Sequence, residues 1–489
     1  MKEENQLIAQ RKQKLKNLIG SGIDPYPSSF NKKHYSLEVL QEYKKLKRDG
    51  KSKKRVSVAG RIMTMRGMGK AGFAHLQDHL GQIQVYVRED EVGKDTYKIF
   101  SKADLGDIIG VEGVVFRTKQ GEISIWVKKL TLLCKSLRPL PEKWHGLKDT
   151  ELRYRQRYVD LIVNPNVKEI FVMRSKIIDA MREFLVKRDF IEVETPILQP
   201  IYGGTNARPF KSLLNNLKMD VYMRISNELY LKRLITGGYE KIFEFSTDFR
   251  NEGIDSTHNP EFLQMETMWA YADYKDNMKF TEDMIEFIAK KALKKTTVSF
   301  QGEKINLKKP FKRISIADAL KRFEKIDVNK LNEKQIRDLL KKKKIEHKKD
   351  TSWGWGVALL FEELVEKKLI QPTIVYDYPI ETSQLAKVKK SDPRFGERFE
   401  LYINGWEIGN SYSELNDPSV LRENWKDQEK KAQKGDSEAQ RMDQDFLRAL
   451  EVGMPPTSGL GVGVDRLVMI FTDSSSIKDV ILFPFMKKE

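Results

Sequence analysis

A single cysteine, Cys134, stands in this chain of 489 residues. That excludes an internal disulfide and any cysteine-built zinc centre; the residue itself is expected to be a small buried apolar side chain near a strand. Long apolar runs are missing too. No stretch approaches the length that crosses a bilayer, so no membrane partner is expected. Residues 1–20, MKEENQLIAQRKQKLKNLIG, mix charges throughout and hold neither an apolar signal core nor a small-residue cleavage site, which makes the cytoplasm the expected compartment. Also absent, wherever a strand meets a helix, are a Walker phosphate loop and the spaced glycines of a dinucleotide fold; both nucleotide-binding folds are thereby disfavoured.

What is present is length, enough apolar residues to build cores, and positive charge. The length implies at least two domains, and 40% apolar with 32% charged residues describes a soluble multidomain protein. Lys and Arg outnumber Asp and Glu 88 to 70, a net charge of +18, which suits a polyanionic partner. Runs such as Lys341 to Lys344 read more readily as a solvated face than as a contact surface.

Residues 1–54 are Lys-rich, and Leu7, Leu15, Leu18, Leu37, Leu40 and Leu46 suggest short amphipathic helices leading into the first domain. From Arg55 the period becomes two: Val56 to Ile62, Ile83 to Val87, Ile109 to Val115 and Ile123 to Val127, with Phe73 to Asp78 as a further strand. A helix over residues 91–102 falls after the third strand. This pattern over 55–135 matches the OB-fold, a small Greek-key barrel whose strand faces bind oligonucleotides. A barrel without a ligand is the alternative; the basic charge and the aromatics on the strands favour nucleic acid. Residues 136–155, with Pro139 and Pro141, read as a hinge. From residue 156 onward, strand and helix patterns alternate without a fixed repeat, as in a mixed α/β domain, with a helical insertion around 280–350 that is Lys-rich near 325–350. Phe171, Arg174, Ile178, Met181 and Leu185 share one helical face there, leading into FIEVETPIL.

Chemistry concentrates in three segments of this second domain. FEFSTDFRNEGIDSTHNPEFLQMETMWAYADY, residues 243–274, packs Arg250, Glu252, His258, Phe262 and Glu266 together. Arg250 offers a planar fork for phosphate or carboxylate, and Phe262 a face for a purine. His258 alone reads as a structural hydrogen-bonding residue. ELYINGWEIGNSYSELN, residues 400–416, carries Glu400, Glu407 and Glu414 at an odd spacing that one straight strand would place on opposite faces. A turn at Asn404 and Gly405 would fold the segment into a hairpin and change that count. Converging carboxylates would then need Mg²⁺ on a polyphosphate or an ammonium substrate; a row of solvated surface glutamates is the alternative. GLGVGVDRLVMIFTDSSSIKDVILFP, residues 459–484, has glycines that permit close packing, and Arg466 at a helix start, where it opposes the macrodipole unless an anion is near. Arg466 reaching Asp465 or Asp473 is equally open.

Together these segments resemble the class II aminoacyl-tRNA synthetases: FIEVETPIL, with Pro196, resembles motif 1 at a dimer interface, FRNEG with HNPEF resembles motif 2, and GVGVDRLVMIF resembles motif 3. FRNEGIDSTHNPEF, EIGNSYSELND and DVILFPFMK are similar to the lysyl enzymes of that class rather than the aspartyl or asparaginyl ones. The likeness runs from about Arg55 to the C-terminus. It implies an OB-fold barrel that reads the anticodon, then a class II α/β catalytic domain on an antiparallel sheet, with ATP, L-lysine and tRNA(Lys) as substrates, Mg²⁺ as cofactor and a homodimer as the assembly.

The resemblance also implies roles. Arg250 would hold the α-phosphate and the lysine carboxylate, and with Arg466, on the γ-phosphate, would supply the catalytic charges. Phe262 would stack on adenine, while Glu252 and His258 contact the nucleotide. Glu400 and Glu407 would hold Mg²⁺. Lysine would lie with its α-amino group against Glu228 and the Gly204 carbonyl, Asn410 near its carboxylate, Tyr412 lining the pocket, and Glu414 and Glu266 toward the ε-ammonium. In the barrel, Phe73 would stack on an anticodon base, with Gln84 and Glu122 on its edge. Three places depart from the family: Met268 stands where lysyl enzymes usually have a tyrosine, Asn227 replaces a common proline, and Ser212 to Asn216 lack the usual histidines. The alternatives are an enzyme that attaches lysine to a protein, which the barrel argues against, a non-catalytic paralogue, and a general OB-fold nucleic-acid binder, which would leave the three segments unexplained.

Overall fold

The computed structural model describes residues 2–141, 147–433 and 441–488, in two compact units, 1–148 and 149–489. Residues 142–146 of the expected hinge lie outside the described residues.

In the first unit, helices Lys2–Gly20 and Ser36–Glu42 precede five strands, β1 (Lys51–Met68), β2 (Ala71–Gln77), β3 (Gln82–Arg88), β4 (Ile108–Arg117) and β5 (Ile123–Cys134). They close in the order β1-β2-β3-β5-β4. The period of two does the sorting: Val58, Ile62, Leu76, Val85, Val111 and Ile125 point inward and are buried. Between β3 and β4 run two short helices, Glu89–Val92 and Lys94–Ser101, and the second buries Tyr97 and Phe100. Of the leader's leucines, Leu18, Leu40 and Leu46 pack on the barrel core, whereas Leu7 and Leu37 are exposed. Cys134, expected buried, is only half-buried, because it ends β5 beside a register shift.

The second unit is built on an eight-stranded sheet: β6 (Ile191–Glu192), β7 (Lys241–Phe249), β8 (Glu261–Ala270), β9 (Lys312–Ser315), β10 (Thr373–Tyr376), β11 (Arg398–Ile403), β12 (Trp406–Ser413) and β13 (Thr457–Gly463). Its order is β9-β10-β11-β12-β13-β8-β7-β6, antiparallel except for the β9–β10 and β6–β7 pairs. One face is apolar: Phe243, Met265, Phe399, Leu401, Ile408, Leu460 and Val462 pack with helices Pro165–Val186, Tyr274–Ile288 and Val464–Thr472. The alternate residues of the same strands, Glu266, Glu400, Asn410, Tyr412, Gly459 and Gly461, line cavities on the other face. Helix Pro165–Val186 buries Ile177, Ala180, Met181, Phe184 and Leu185. That stripe is rotated from the expected one: Phe171 and Ile178 are half-buried, and Arg174 pairs with Asp465.

The expected helical insertion is placed differently. Residues up to Ile288 belong to a core helix, and Thr297–Phe300 pairs with Glu303–Asn306 in a hairpin whose turn, Gln301 and Gly302, has positive φ of 51° and 84°. The inserted helices, Ile316–Glu324, Glu333–Lys342 and Trp353–Leu364, lie in the crossover that the parallel β9–β10 pair requires, around a core of Leu320, Ile336, Leu340, Leu360 and Phe361.

Candidate active site

The polar sheet face opens into two cavities that share Trp355, Thr382 and Arg398. The first, of about 280 Å³, is lined by Gly204, Glu228, Arg250, Glu266, Asn410, Tyr412 and Glu414, the seven residues expected to hold an amino acid. The second, of about 490 Å³, is lined by His258, Glu400, Glu407 and Arg466. Phe262 lines neither cavity, but its ring lies 5.0 Å from the Arg250 guanidinium carbon. Glu252 is exposed on the loop between β7 and β8 and lines neither.

The hairpin β11–β12 explains how glutamates at odd spacing converge. Asn404 and Gly405 form its turn with positive φ of 52° and 72°, so Ile403 pairs with Trp406. A register shift then drops Ile408 out of the pairing: Tyr402 faces Glu407 while Leu401 faces Gly409. Beyond this bulge Asn410, Tyr412 and the following Glu414 point to the face that Glu407 uses, and Asn410 Nδ2 donates to Glu407 Oε1 at 3.2 Å.

In the first cavity three carboxylates converge. Glu228 and Glu414 each lie 2.5 Å from Lys232 Nζ, and Gln264 Nε2 donates to Glu266 Oε1 at 2.6 Å and to Asp248 Oδ2 at 2.5 Å. Burial pushes Glu414 up to about 8, with Lys232 opposing and Glu228 adding to the rise. Burial also lifts Glu266 well above the usual carboxylate range, helped by the charges of Asp248 and Glu228. Asp248 rises to about 6, again through burial, with Arg224 and Arg250 working against it. Arg250 follows the end of β7, and its buried Nε has no hydrogen-bond partner among the described residues. Such an orphan donor invites an anion.

The second cavity holds the remaining charges. Glu400 bonds to Arg398 and accepts from the Tyr402 hydroxyl at 2.5 Å, and the same hydroxyl oxygen lies 2.9 Å from Glu366 Oε1. Burial raises Glu400, with Arg398 opposing, and burial with the charges of Glu400 and Glu362 lifts Glu366 to about 7. Arg466 donates to the Glu407 carbonyl at 2.8 Å and meets His258 Nε2 at 3.3 Å. His258 Nδ1 lies 2.8 Å from Asp255 Oδ2, which assigns the proton to Nδ1 and leaves Nε2 to accept. Burial acts upward on Asp255, but hydrogen bonds from Thr257 and His258 outweigh it and hold the carboxyl down at about 2. The local partners considered for Arg466 are taken: Asp465 binds Arg174 and the Leu263 N–H, and Asp473 accepts from Gln301.

Residues 149–487 match the family model of the tRNA synthetases class II (D, K and N), and residues 56–133 match that of the OB-fold nucleic acid binding domain. The chain is 50% identical to a lysine--tRNA ligase of Carboxydothermus hydrogenoformans over 487 residues, 99% of both chains. It is 51% identical to that of Pelotomaculum thermopropionicum over 99% of this chain and 95% of the relative, and 50% identical to that of Bacillus subtilis over 99% and 98%. The chain is a class II tRNA synthetase.

Several contacts of the synthetase were not foreseen. Lys232 falls four residues after Glu228 on a helix that also buries Leu229, Leu231 and Ile235; a lysine on an otherwise buried face was the available signal. Met268, 2% exposed, forms an apolar wall of the first cavity. Asn227 donates to Glu244 at 2.8 Å, a hydrogen bond that a proline could not make. In the barrel, Phe73 stacks on Tyr86 with ring centroids 4.5 Å apart, and Gln84 donates to Glu122 Oε2 at 2.7 Å. Glu122 also meets His75 Nε2 at 2.9 Å, so the three expected base contacts share one outer face with His75 and Tyr86. Pro196 is exposed and follows β6.

Proposed function

We propose that this synthetase activates L-lysine with ATP to lysyl adenylate and transfers the lysyl group to the 3′ end of tRNA(Lys). One observation carries the choice of amino acid. Glu228, Glu266 and Glu414 line the first cavity together with Arg250, and Lys232 is shared by Glu228 and Glu414, so the cavity offers carboxyl groups to ammonium groups and a guanidinium to a carboxylate. Lysine, with two ammonium groups and one carboxylate, matches that set of partners. Aspartate or asparagine would leave buried carboxylates without partners.

In this reading the α-amino group lies against Glu228 and the Gly204 carbonyl, the carboxylate against Arg250 and Asn410, and the ε-ammonium toward Glu414 and Glu266. Tyr412 and Met268 flank the methylene chain. Arg250 also takes the α-phosphate, Phe262 the adenine, and Glu252 the nucleotide; the 3.3 Å approach of Arg466 to His258 supports both as contacts of the outer phosphates. Glu400 and Glu407 face one cavity, and two carboxylates completed by phosphate oxygens and water suit Mg²⁺, which neutralises phosphate charge when bound. Among the described residues no cluster of three or more protein ligands offers a site closed by side chains alone.

The lysine carboxylate attacks the α-phosphorus, the bond to the β-phosphate oxygen breaks, and pyrophosphate leaves. A terminal ribose hydroxyl of the tRNA then attacks the acyl carbon, and AMP leaves. Arg250 and Arg466 act by positioning and by neutralising charge, so no covalent nucleophile on the protein is required. Phe73, Gln84 and Glu122 read the anticodon. Exposed Val172, Val186, Ile191, Ile197 and Leu198 surround the Pro196 segment and support a homodimer there. In this reading the enzyme works in the cytoplasm, where its tRNA substrate is used. No helix of the described residues is long and apolar enough to cross a membrane.

Amino-acid-dependent exchange of labelled pyrophosphate into ATP, run with all twenty amino acids and Mg²⁺, tests the reading. Exchange with lysine alone is expected. Exchange driven by aspartate or asparagine, or none with any amino acid, would overturn it.

A further inference from the structure

Helix Glu228–Thr236 carries Lys232 one turn beyond Glu228, with its side chain only 1% exposed. Its Nζ lies 2.5 Å from Glu228 Oε1, 2.5 Å from Glu414 Oε2 and 5.4 Å from the centre of the Tyr412 ring. Glu414 is fully buried and pairs with Lys232 through Oε2. Oε1 of Glu414 turns toward Gly459, where a side chain is lacking; a Cβ there would lie 2.3 Å from it. The two carboxylates thus share one internal ammonium while both residues line the cavity.

We propose that Lys232 is a built-in counter-ion that sets amino-acid specificity: it holds Glu228 and Glu414 in place and leaves the pocket room for two substrate ammonium groups. The proposal rests on the lysine-activating reading above. Lys232 is a positioning residue, because it reaches the substrate only through the two glutamates. Burial alone would strip the proton from such an amine, but the two carboxylates reverse that tendency and keep it charged. Without Lys232, Glu228 and Glu414 would face each other across a buried gap. Glu414, raised to about 8 even with Lys232 opposing, would rise further, and the geometry offered to the α-amino and ε-ammonium groups would be lost.

The test compares wild type with Lys232→Ala, Lys232→Met and Lys232→Arg in lysine-dependent pyrophosphate exchange, with thermal melting alongside. Lys232→Ala should raise KM for lysine by about tenfold or more, with KM for ATP unchanged. n-Propylammonium added to Lys232→Ala should restore much of the lysine affinity; the same concentration of tetramethylammonium, which cannot donate hydrogen bonds, should not. Lys232→Arg should retain part of the wild-type affinity. If the alanine variant fails to fold, Lys232→Met keeps the stem and carries the KM comparison. Lysine-dependent exchange in wild type with an unchanged KM for lysine in either variant would overturn this proposal alone. So would equal rises in KM for lysine and ATP that no amine relieves. Absence of lysine-dependent exchange in wild type would instead overturn the functional reading, and this proposal with it.

Discussion

Gly459 lies between Met268 and Tyr412 in the sheet, and its replacement by alanine should disable the amino-acid cavity while leaving the nucleotide side intact. A Cβ at this position would lie 2.3 Å from Glu414 Oε1 and 3.0 Å from both Sδ and Cε of Met268. The methionine is flexible and can give way. The carboxylate cannot do so easily, because Glu414 is fully buried and Lys232 sits on its other oxygen. It must retreat by at least 0.7 Å, the difference between 2.3 Å and the 3.0 Å inside which real Cβ atoms are not found. Gly459 has ordinary extended φ, so the change acts through space and not through backbone strain. A charge-assisted hydrogen bond contributes about 1.5–3 kcal/mol, so its loss to the ε-ammonium should raise KM for lysine by roughly 10- to 160-fold. Pyrophosphate exchange titrated separately with lysine and with ATP measures the effect, and a melting curve checks the fold. A well-folded Gly459→Ala enzyme with unchanged KM for lysine would refute the assignment of Glu414 to the substrate, and an equal rise for ATP would refute the division into two subsites.

Other consequences follow from the same geometry. Phe73→Ala removes one stacking platform, about 1–3 kcal/mol per base, so kcat/KM for tRNA should fall roughly 5- to 160-fold while lysine-dependent exchange is untouched; aminoacylation and exchange measured side by side would decide. Tyr402→Phe removes the hydroxyl that holds Glu400 and Glu366, so the Mg²⁺ concentration for half-maximal exchange should rise several-fold without a change in KM for lysine, and a magnesium titration reads it. Glu366, lifted to about 7 by burial and by the charges of Glu400 and Glu362, stabilises the fold below its unfolded pKa and loses that contribution as the pH rises through about 7. Wild type should therefore lose stability relative to Glu366→Gln between about pH 5 and pH 8 in Mg²⁺-free buffer. Parallel melting temperatures across that range would contradict the shift.

The legibility of this protein in its sequence divides along the range of the interactions. The barrel could be read because one period of two repeats over five strands, and every inward position is apolar. The hairpin at Glu400 to Glu414 could be read in part: Asn404 and Gly405 announce its turn, but the bulge that drops Ile408 has no local signature. The helical insertion was misjudged because its Lys-rich helices bury only a narrow stripe, Ile336 and Leu340 in one case, whereas the period-two hairpin before it belongs to another element. Residues at alternate positions of a strand, such as Asn410 and Tyr412, could be read as sharing one face, and they line one cavity with Glu266. The partners that set the charge of the site could not be read, since Lys232 and Glu414 are 182 positions apart and meet only once β12 and helix Glu228–Thr236 are packed. The distinction matters for substrate choice. Three glutamates read from sequence suggest a strongly anionic pocket, whereas in the structure Lys232 lies 2.5 Å from two of them, Arg250 lines the same cavity, and burial holds Glu266 and Glu414 above the usual carboxylate range. On the proposed lysine reading, a diamine without a carboxylate would leave Arg250 unpaired and an amino acid without a second ammonium would leave a glutamate unpaired, so selectivity would rest on the whole set of partners, which no single residue of the motif displays.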